Sequence, residues 1–261
     1  MPARLPWKPR GRHLSHRAAT DLGGLRVRGY PYEFHVALDG NGLDGLDGRA
    51  GVCSFRYDPA TGDHAYKATY FGGATGGHAL AIDPTRRLGF LGNTGQHLLF
   101  YDRASLEEVE RISTLRFEVP DSSIQGSTHI AWTSDTEFLT CIGESLWRFD
   151  VNRLAKGERV APHGILLPHA LKLTASGRYA VYGGMDHPTR GEAREVGILD
   201  TVTGDVRRVA LPTTCWHLTV HPVLDVAYAL SFRVGPAGGD DWGRWGMSYR
   251  RQYVYEIDLE T

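Results

Sequence analysis

The sequence Leu99-Phe100-Tyr101-Asp102 is one copy of a motif that indicates the fold, because its apolar and aromatic run ending in aspartate recurs along the chain. The other copies are Phe55-Arg56-Tyr57-Asp58, Trp147-Arg148-Phe149-Asp150, Gly197-Ile198-Leu199-Asp200 and Tyr255-Glu256-Ile257-Asp258. An aspartate at the start of a turn accepts a hydrogen bond from the backbone two residues later, and a nearby glycine supplies a positive φ. Gly62 and Gly204 follow two of the copies. Each copy is therefore predicted to be a strand that ends in a tight hairpin.

A second pattern precedes four of these copies and consists of a histidine, a short alternating run, a turn and another apolar run. It begins at His78, His129, His169 and His217. Each repeat thus contains four predicted strands over about 40 to 58 residues, which is typical of a propeller blade. Only residues 105–112 fit a helix as well as they fit an outer strand. The predicted fold is all-β, a β-propeller of four-stranded antiparallel blades.

Five blades are visible in the sequence, and the first and last are incomplete. The first has predicted strands at Tyr32–Asp39 and Val52–Asp58 but only a weak first strand near Leu25–Arg28. Two alternatives follow: the N-terminal segment closes a five-bladed ring, or the chain is a fragment of a six- or seven-bladed ring. An unclosed ring leaves an exposed sheet edge, which is a liability for a folded protein. Because the first strand of the first repeat is weak, the fragment is nevertheless the favoured alternative. We assign residues 1–24 to an N-terminal arm and 25–261 to the propeller.

These repeats resemble those of the YVTN-type and quinoprotein-like β-propellers, whose blades carry a similar Ile-Asp and Thr-Gly turn. The resemblance covers about residues 25–261 and implies the architecture. It implies no activity, because propellers carry out many different functions.

Composition excludes some classes of function. The chain has 29 Lys and Arg against 30 Asp and Glu, a formal charge of −1. It therefore lacks the basic excess expected of a nucleic-acid binder or of a protein that binds anionic membranes. No apolar run approaches the roughly 20 residues of a membrane helix, and residues 1–17 lack the apolar segment of a secretory signal. Three widely spaced cysteines indicate a reducing, cytoplasmic compartment.

The four repeated histidines are the main candidate site. Each begins the first strand of a repeat, and the first strand of a propeller blade is innermost, so four imidazoles are expected at one level around the axis. Imidazole binds many divalent metals. We therefore predict a metal site formed by His78, His129, His169 and His217, which would hold iron, manganese or zinc. The alternative is that these histidines are packed or hydrogen-bonded strand residues that recur because the fold recurs.

A histidine-lined centre is similar to those of two propeller families, the carotenoid oxygenases and the oligogalacturonate lyases. The similarity stops at the ring of histidines. No sequence stretch matches either family, so no catalytic residue is transferred from them.

Long loops between the second and third strands are predicted on the same face as the histidines. Gly184–Glu195 and Val234–Gln252 are two of them. In these loops Asp186 and His187 are candidates for proton transfer. The candidates for binding substrate are Arg190, Arg244, Trp242 and Trp245.

Two classes of function follow. The first is a metal-dependent lyase or hydrolase that acts on a small polar or anionic substrate in the axial funnel. The second is a non-catalytic module that binds a protein or peptide partner, with the Trp-rich loop as its anchor.

Overall fold

The computed structural model describes residues 32–40, 48–118, 129–186, 190–230 and 253–260. They form strands β1 to β18 and two 3-10 turns, Thr114–Arg116 and Val151–Arg153. Neither turn has the length or the apolar character of a helix that could cross a membrane.

The described strands pair into five antiparallel sheets, each built from strands that follow one another in the chain. The first sheet contains β1 (Tyr32–Leu38), β2 (Arg49–Tyr57) and β3 (His64–Thr75). The second contains β4 (Gly77–Ile82), β5 (Leu88–Asn93), β6 (His97–Asp102) and β7 (Glu108–Ser113). The third contains β8 (Ile130–Trp132), β9 (Glu137–Ile142), β10 (Ser145–Asp150) and β11 (Glu158–Pro162). The fourth contains β12 (Pro168–Leu173), β13 (Tyr179–Gly184), β14 (Glu195–Asp200) and β15 (Val206–Ala210). The fifth contains β16 (His217–Val220), β17 (Val226–Leu230) and β18 (Val254–Asp258).

This architecture confirms the all-β prediction and the blade-like repeat of short sheets. Strand β1 coincides with the predicted second strand of the first repeat, and β18 carries the last copy of the aspartate motif. The first and last sheets have three strands each in the described residues. Residues 1–24 and Leu25–Arg28 lie outside the described residues, so the assigned arm and the weak first strand stay predictions.

The aspartate turns form as the sequence predicts. In all five copies the carboxylate accepts a hydrogen bond from the backbone two residues later, with N···O distances between 2.8 and 3.0 Å. Gly62 and Gly204 have φ of 78° and 80°, and Leu106 takes the same left-handed conformation in the second sheet. The backbone N–H groups that donate to Asp102, Asp150 and Asp200 in these turns hold the pKa of each carboxylate below its ordinary value.

The hydrophobic core lies in layers between successive sheets. Phe90 and Phe100 of the second sheet pack with Phe138 and Phe149 of the third. Leu171 and Tyr182 of the fourth sheet pack with residues of the third, and Ala170 packs with residues of the fifth. The second, third and fourth sheets therefore bury both faces, which explains why their central strands are nearly continuous apolar runs.

The chain divides into two compact units, one of Met1–His35 and Ser54–Lys67 and the other of Val36–Cys53 and Ala68–Thr261. Within the smaller unit, the carboxylate of Glu33 lies 3.2 Å from the imidazole of His35 and accepts a hydrogen bond from the Ser54 hydroxyl. The larger unit contains β4 to β18 and all four repeated histidines.

Asp83 holds the turn between β4 and β5, and its removal is predicted to destabilise the fold. Its buried carboxylate accepts hydrogen bonds from the backbone N–H groups of Arg87 and Leu88, at 2.7 and 2.8 Å, and from the Thr85 hydroxyl. Asp83→Ala leaves these donors without the carboxylate, so we expect a loss of about 2–3 kcal/mol in the free energy of unfolding. Urea titration measures this loss.

The matched control is Asp135→Ala, in the corresponding turn of the third sheet, where the side chain is exposed. We expect this change to cost less than about 0.5 kcal/mol. Equal losses in the two variants would contradict the role assigned to Asp83.

Candidate functional site

The four repeated histidines lie at the starts of the first strands of four successive sheets. His78 and His169 are the second residues of β4 and β12, His217 is the first residue of β16, and His129 directly precedes β8. Strand β12 packs beside both β8 and β16. The first strands thus bring the four imidazoles to one place.

A β-bulge positions two of these histidines. In β4, Gly77 pairs with Asn93 and Ala79 pairs with Gly92, so His78 has no partner residue on β5. The same register shift in β12 leaves His169 as the extra residue opposite β13. A bulge breaks the alternation of a strand and changes the direction of a side chain. Sequence periodicity did not predict this feature.

The imidazoles form a compact group, which we call the histidine cluster: His78, His129, His169 and His217. The centre of the His169 ring lies 4.7 Å from that of His78, 4.9 Å from that of His129 and 5.1 Å from that of His217. The rings of His78 and His129 lie 6.4 Å apart. His169 is therefore the central member, and the structure brings together all four residues that the sequence selected.

His169 is held as a neutral imidazole. Burial and the neighbouring rings of His78 and His217 lower its pKa to about 3, although a hydrogen bond to the Trp216 carbonyl acts in the opposite direction. A neutral ring that donates from one nitrogen keeps a lone pair on the other. The Nε2 atom of His169 lies 2.5 Å from Nε2 of His78. We infer that His78 donates to His169 in this contact.

The other three imidazoles are also biased towards the neutral form. Burial is the first cause of the lowered pKa in each. The pKa of His129 lies well below the ordinary value because His169, His78, Lys172 and His217 add to the effect of burial. Neutral imidazoles carry the lone pairs that a metal ion or a proton donor needs.

Two charged side chains act on this cluster, and the sequence did not select either as a site residue. Lys172 of β12 lowers the pKa of His129 and His217, and Asp39 opposes the lowering for His78. Lys172 did carry a signal in the sequence, because it is the only Lys, Arg, Asp or Glu in β4, β8, β12 and β16. The electrostatics of the cluster thus includes one cationic and one anionic side chain.

The side chains as they stand are not arranged around an ion. No group of three or more His, Cys, Asp or Glu among the described residues could hold a metal ion in its present arrangement. Two nitrogens on one zinc ion lie about 3.3 Å apart, given Zn–N bonds of about 2.0–2.1 Å. His78 and His169 would therefore have to separate by about 0.8 Å to share an ion. The metal site stays a prediction.

Asp186 and Arg190 lie between β13 and β14, and each makes a polar contact in the described residues. The Asp186 carboxylate accepts a hydrogen bond from the Ala193 backbone at 2.8 Å. Burial raises its pKa, against the effect of this hydrogen bond. Arg190 pairs with Glu144 at 3.7 Å, and both side chains are about half exposed. The roles in proton transfer and substrate binding stay predictions.

Four further candidates lie outside the described residues: His187, Trp242, Arg244 and Trp245. Their predicted roles in proton transfer and substrate binding stay untested by the structure.

All three cysteines are reduced thiols. Burial raises the pKa of Cys141, and it raises that of Cys215 to about 11, so both favour the unreactive thiol form. Cys215 donates a weak hydrogen bond to the His217 carbonyl, with S···O of 3.4 Å. This contact gives Cys215 a structural role at the start of β16.

No protein-family model and no curated protein matches this sequence.

Proposed function

We propose that the chain is a β-propeller enzyme that binds one divalent metal ion at the histidine cluster. Its reaction would be the lysis or hydrolysis of a small polar or anionic molecule in the axial funnel. The observation that carries the proposal is the convergence of four imidazoles from four successive sheets, with ring centres 4.7 to 6.4 Å apart.

The donor set narrows the choice of metal. The cluster offers nitrogen donors, and imidazole favours zinc and iron over the hard ions that prefer carboxylates. Among the predicted metals, zinc and iron therefore fit better than manganese. A bound ion of this kind supplies a Lewis acid or lowers the pKa of a bound water to near neutral.

The fold supports such a site because three of its ligands lie on strands and the fourth, His129, directly precedes one. The inter-sheet core on either side of β12 fixes the backbone from which His169 projects. A rigid backbone reduces the ordering that ion binding requires. Ion binding would require at least that the Nε2 atoms of His78 and His169 move apart.

Metal analysis of the purified protein tests the proposal. We expect about one zinc or iron ion per chain. The double variant His129→Ala/His169→Gln should retain less than a tenth of that content, because it removes two of four ligands. Circular dichroism checks that the variant keeps its strand content.

His221→Ala is the matched control. His221 lies in the turn after β16, where its ring accepts hydrogen bonds from the backbone of Val223 and Leu224. Its loss should leave the metal content unchanged. A wild-type protein that binds neither zinc nor iron, or a folded double variant that binds as much as wild type, would overturn the proposal. Either outcome would favour the non-catalytic binding module.

A further inference from the structure

Strand β18 of the fifth sheet has an open edge among the described residues. In the second, third and fourth sheets the third strand lies between two neighbours, because a fourth strand (β7, β11 or β15) pairs with its outer side. In the fifth sheet β18 pairs with β17, and no other described strand pairs with it. An edge strand presents unpaired backbone N–H and C=O groups, to which another strand can add.

Strand β18 lacks several features that keep an edge from pairing. Its five residues, Val254–Asp258, include no proline and no lysine. Its pairing with β17 runs through all five residues without a register shift, so no bulge twists the edge away. The edge of β18 can therefore accept a further strand as β6, β10 and β14 do.

The internal repeat gives the register of an added strand. In the aspartate motif, Glu256 has the position of Arg148 in β10 and of Ile198 in β14. Arg148 is paired with Glu158 of β11, and the two side chains form an ion pair with an N···O distance of 3.8 Å. Ile198 is paired with Arg207 of β15. A strand added to β18 in the same way would have one residue directly opposite Glu256.

The charge of β18 selects the residue at that position. Between residues 254 and 260 all the charged side chains are acidic: Glu256, Asp258 and Glu260. Opposite charges on paired strands stabilise the pairing, and like charges that face each other destabilise it. A second copy of β18, paired about the centre of the strand, would place Glu256 opposite Glu256. The charges therefore favour a basic strand over a second copy of this chain.

We infer that the outer edge of β18 binds an extended segment of a partner protein, which combines aliphatic and basic residues and places an arginine or lysine opposite Glu256. Strand β15 is an example of such a segment, because it reads Val206-Arg207-Arg208-Val209-Ala210. The edge belongs to the third strand of its sheet, whereas the histidine cluster lies at the starts of first strands. Binding at this edge therefore does not depend on a metal ion at the cluster.

Fluorescence anisotropy of the full chain with two labelled peptides at low ionic strength tests this inference. One peptide has the sequence of residues 203–211, which contain β15, and the other that of residues 155–163, which contain β11. Each has nine residues, of which two are Lys or Arg and one is Asp or Glu. In the registers of their own sheets, the first places Arg207 opposite Glu256 and the second places Glu158 there. We expect the first peptide to bind about fivefold more tightly.

Glu256→Arg should reverse this preference, because the exposed position then attracts Glu158 and repels Arg207. Glu260→Arg is the matched control. It changes the net charge of the chain by the same amount, but Glu260 lies beyond β18 and is also exposed, so the first peptide should remain the tighter ligand. Circular dichroism checks that both variants keep their strand content.

Four results would overturn the inference. The first is that wild type binds neither peptide, and the second is that it binds both equally. The third is that Glu256→Arg keeps the preference of wild type. The fourth is a wild-type dimer in sedimentation that dissociates in Glu256→Arg, because a second copy would then occupy the edge.

Discussion

Gly197→Ala is expected to lower the free energy of unfolding by about 3–4 kcal/mol. Gly197 of β14 lies directly opposite Tyr182 of β13, and the tyrosine ring occupies the space that a Cβ on residue 197 would need. Tyr182 is fully buried and donates a hydrogen bond to the His163 carbonyl at 2.8 Å. A methyl group at residue 197 must displace the ring, which adds overpacking of about 1–3 kcal/mol to the loss of this hydrogen bond. Urea unfolding monitored by fluorescence measures the loss.

The second sheet offers an independent repeat of this test. There Gly89 pairs with the buried Tyr101, and a Cβ on Gly89 would overlap the tyrosine ring in the same way. Gly89→Ala should therefore be destabilised to a similar degree. Gly72→Ala is the control, because the space beside Gly72 is open, and it should change stability by less than about 0.5 kcal/mol. Losses below about 1 kcal/mol at both paired glycines would refute the role of the Gly–Tyr pairs.

The stability of the protein is expected to fall as the pH drops below about 6.5. His169 has a pKa of about 3 in the folded state and an ordinary value of 6.5 when unfolded. Below pH 6.5 the unfolded chain therefore binds a proton that the folded chain does not, and the stability is lost progressively down to about pH 3. One such group contributes about 1.4 kcal/mol per pH unit, so His169 alone accounts for about 2 kcal/mol between pH 6.5 and 5. The lowered pKa of His129 adds to this loss.

Urea titrations from pH 5 to 8 measure this dependence, with a chelator present because low pH also releases metal ions from imidazoles. The comparison is with His169→Gln, which cannot titrate in this range. The pH dependence of that variant should be shallower by up to about 1.4 kcal/mol per pH unit. Parallel curves for the two proteins would show that His169 is not held neutral by the fold.

The repeat could be predicted because its turns depend on local chemistry. Each aspartate needs only a backbone N–H two residues away, so the five turns could be recognised from single copies of the motif. The same local signals left residues 105–112 open between a helix and a turn with an outer strand, and the structure shows a turn followed by β7. There the pairing of β7 with β6 decides the conformation.

The convergence of the histidines was also predictable, because equivalent positions in successive repeats occupy equivalent places in the fold. The bulges at His78 and His169 were not predictable, since a register shift depends on how two strands pair and leaves no pattern in one strand. The influence of Lys172 was missed for another reason. Lys172 occurs in one repeat alone, so the recurrence that selects the histidines does not select it.

Because of the bulges, the side chains at residues 78 and 169 do not take part in the regular packing of the sheet. Residues 78 and 169 lie outside the regular pairing, so Gly77 and Ala79, or Pro168 and Ala170, stay in register whatever residue stands between them. Exchange of the histidine for another residue therefore preserves the strand pairing on either side of the bulge, whereas deletion of the position would remove the bulge itself. Evolution and protein engineering can thus vary the chemistry at residues 78 and 169 while the surrounding scaffold remains the same.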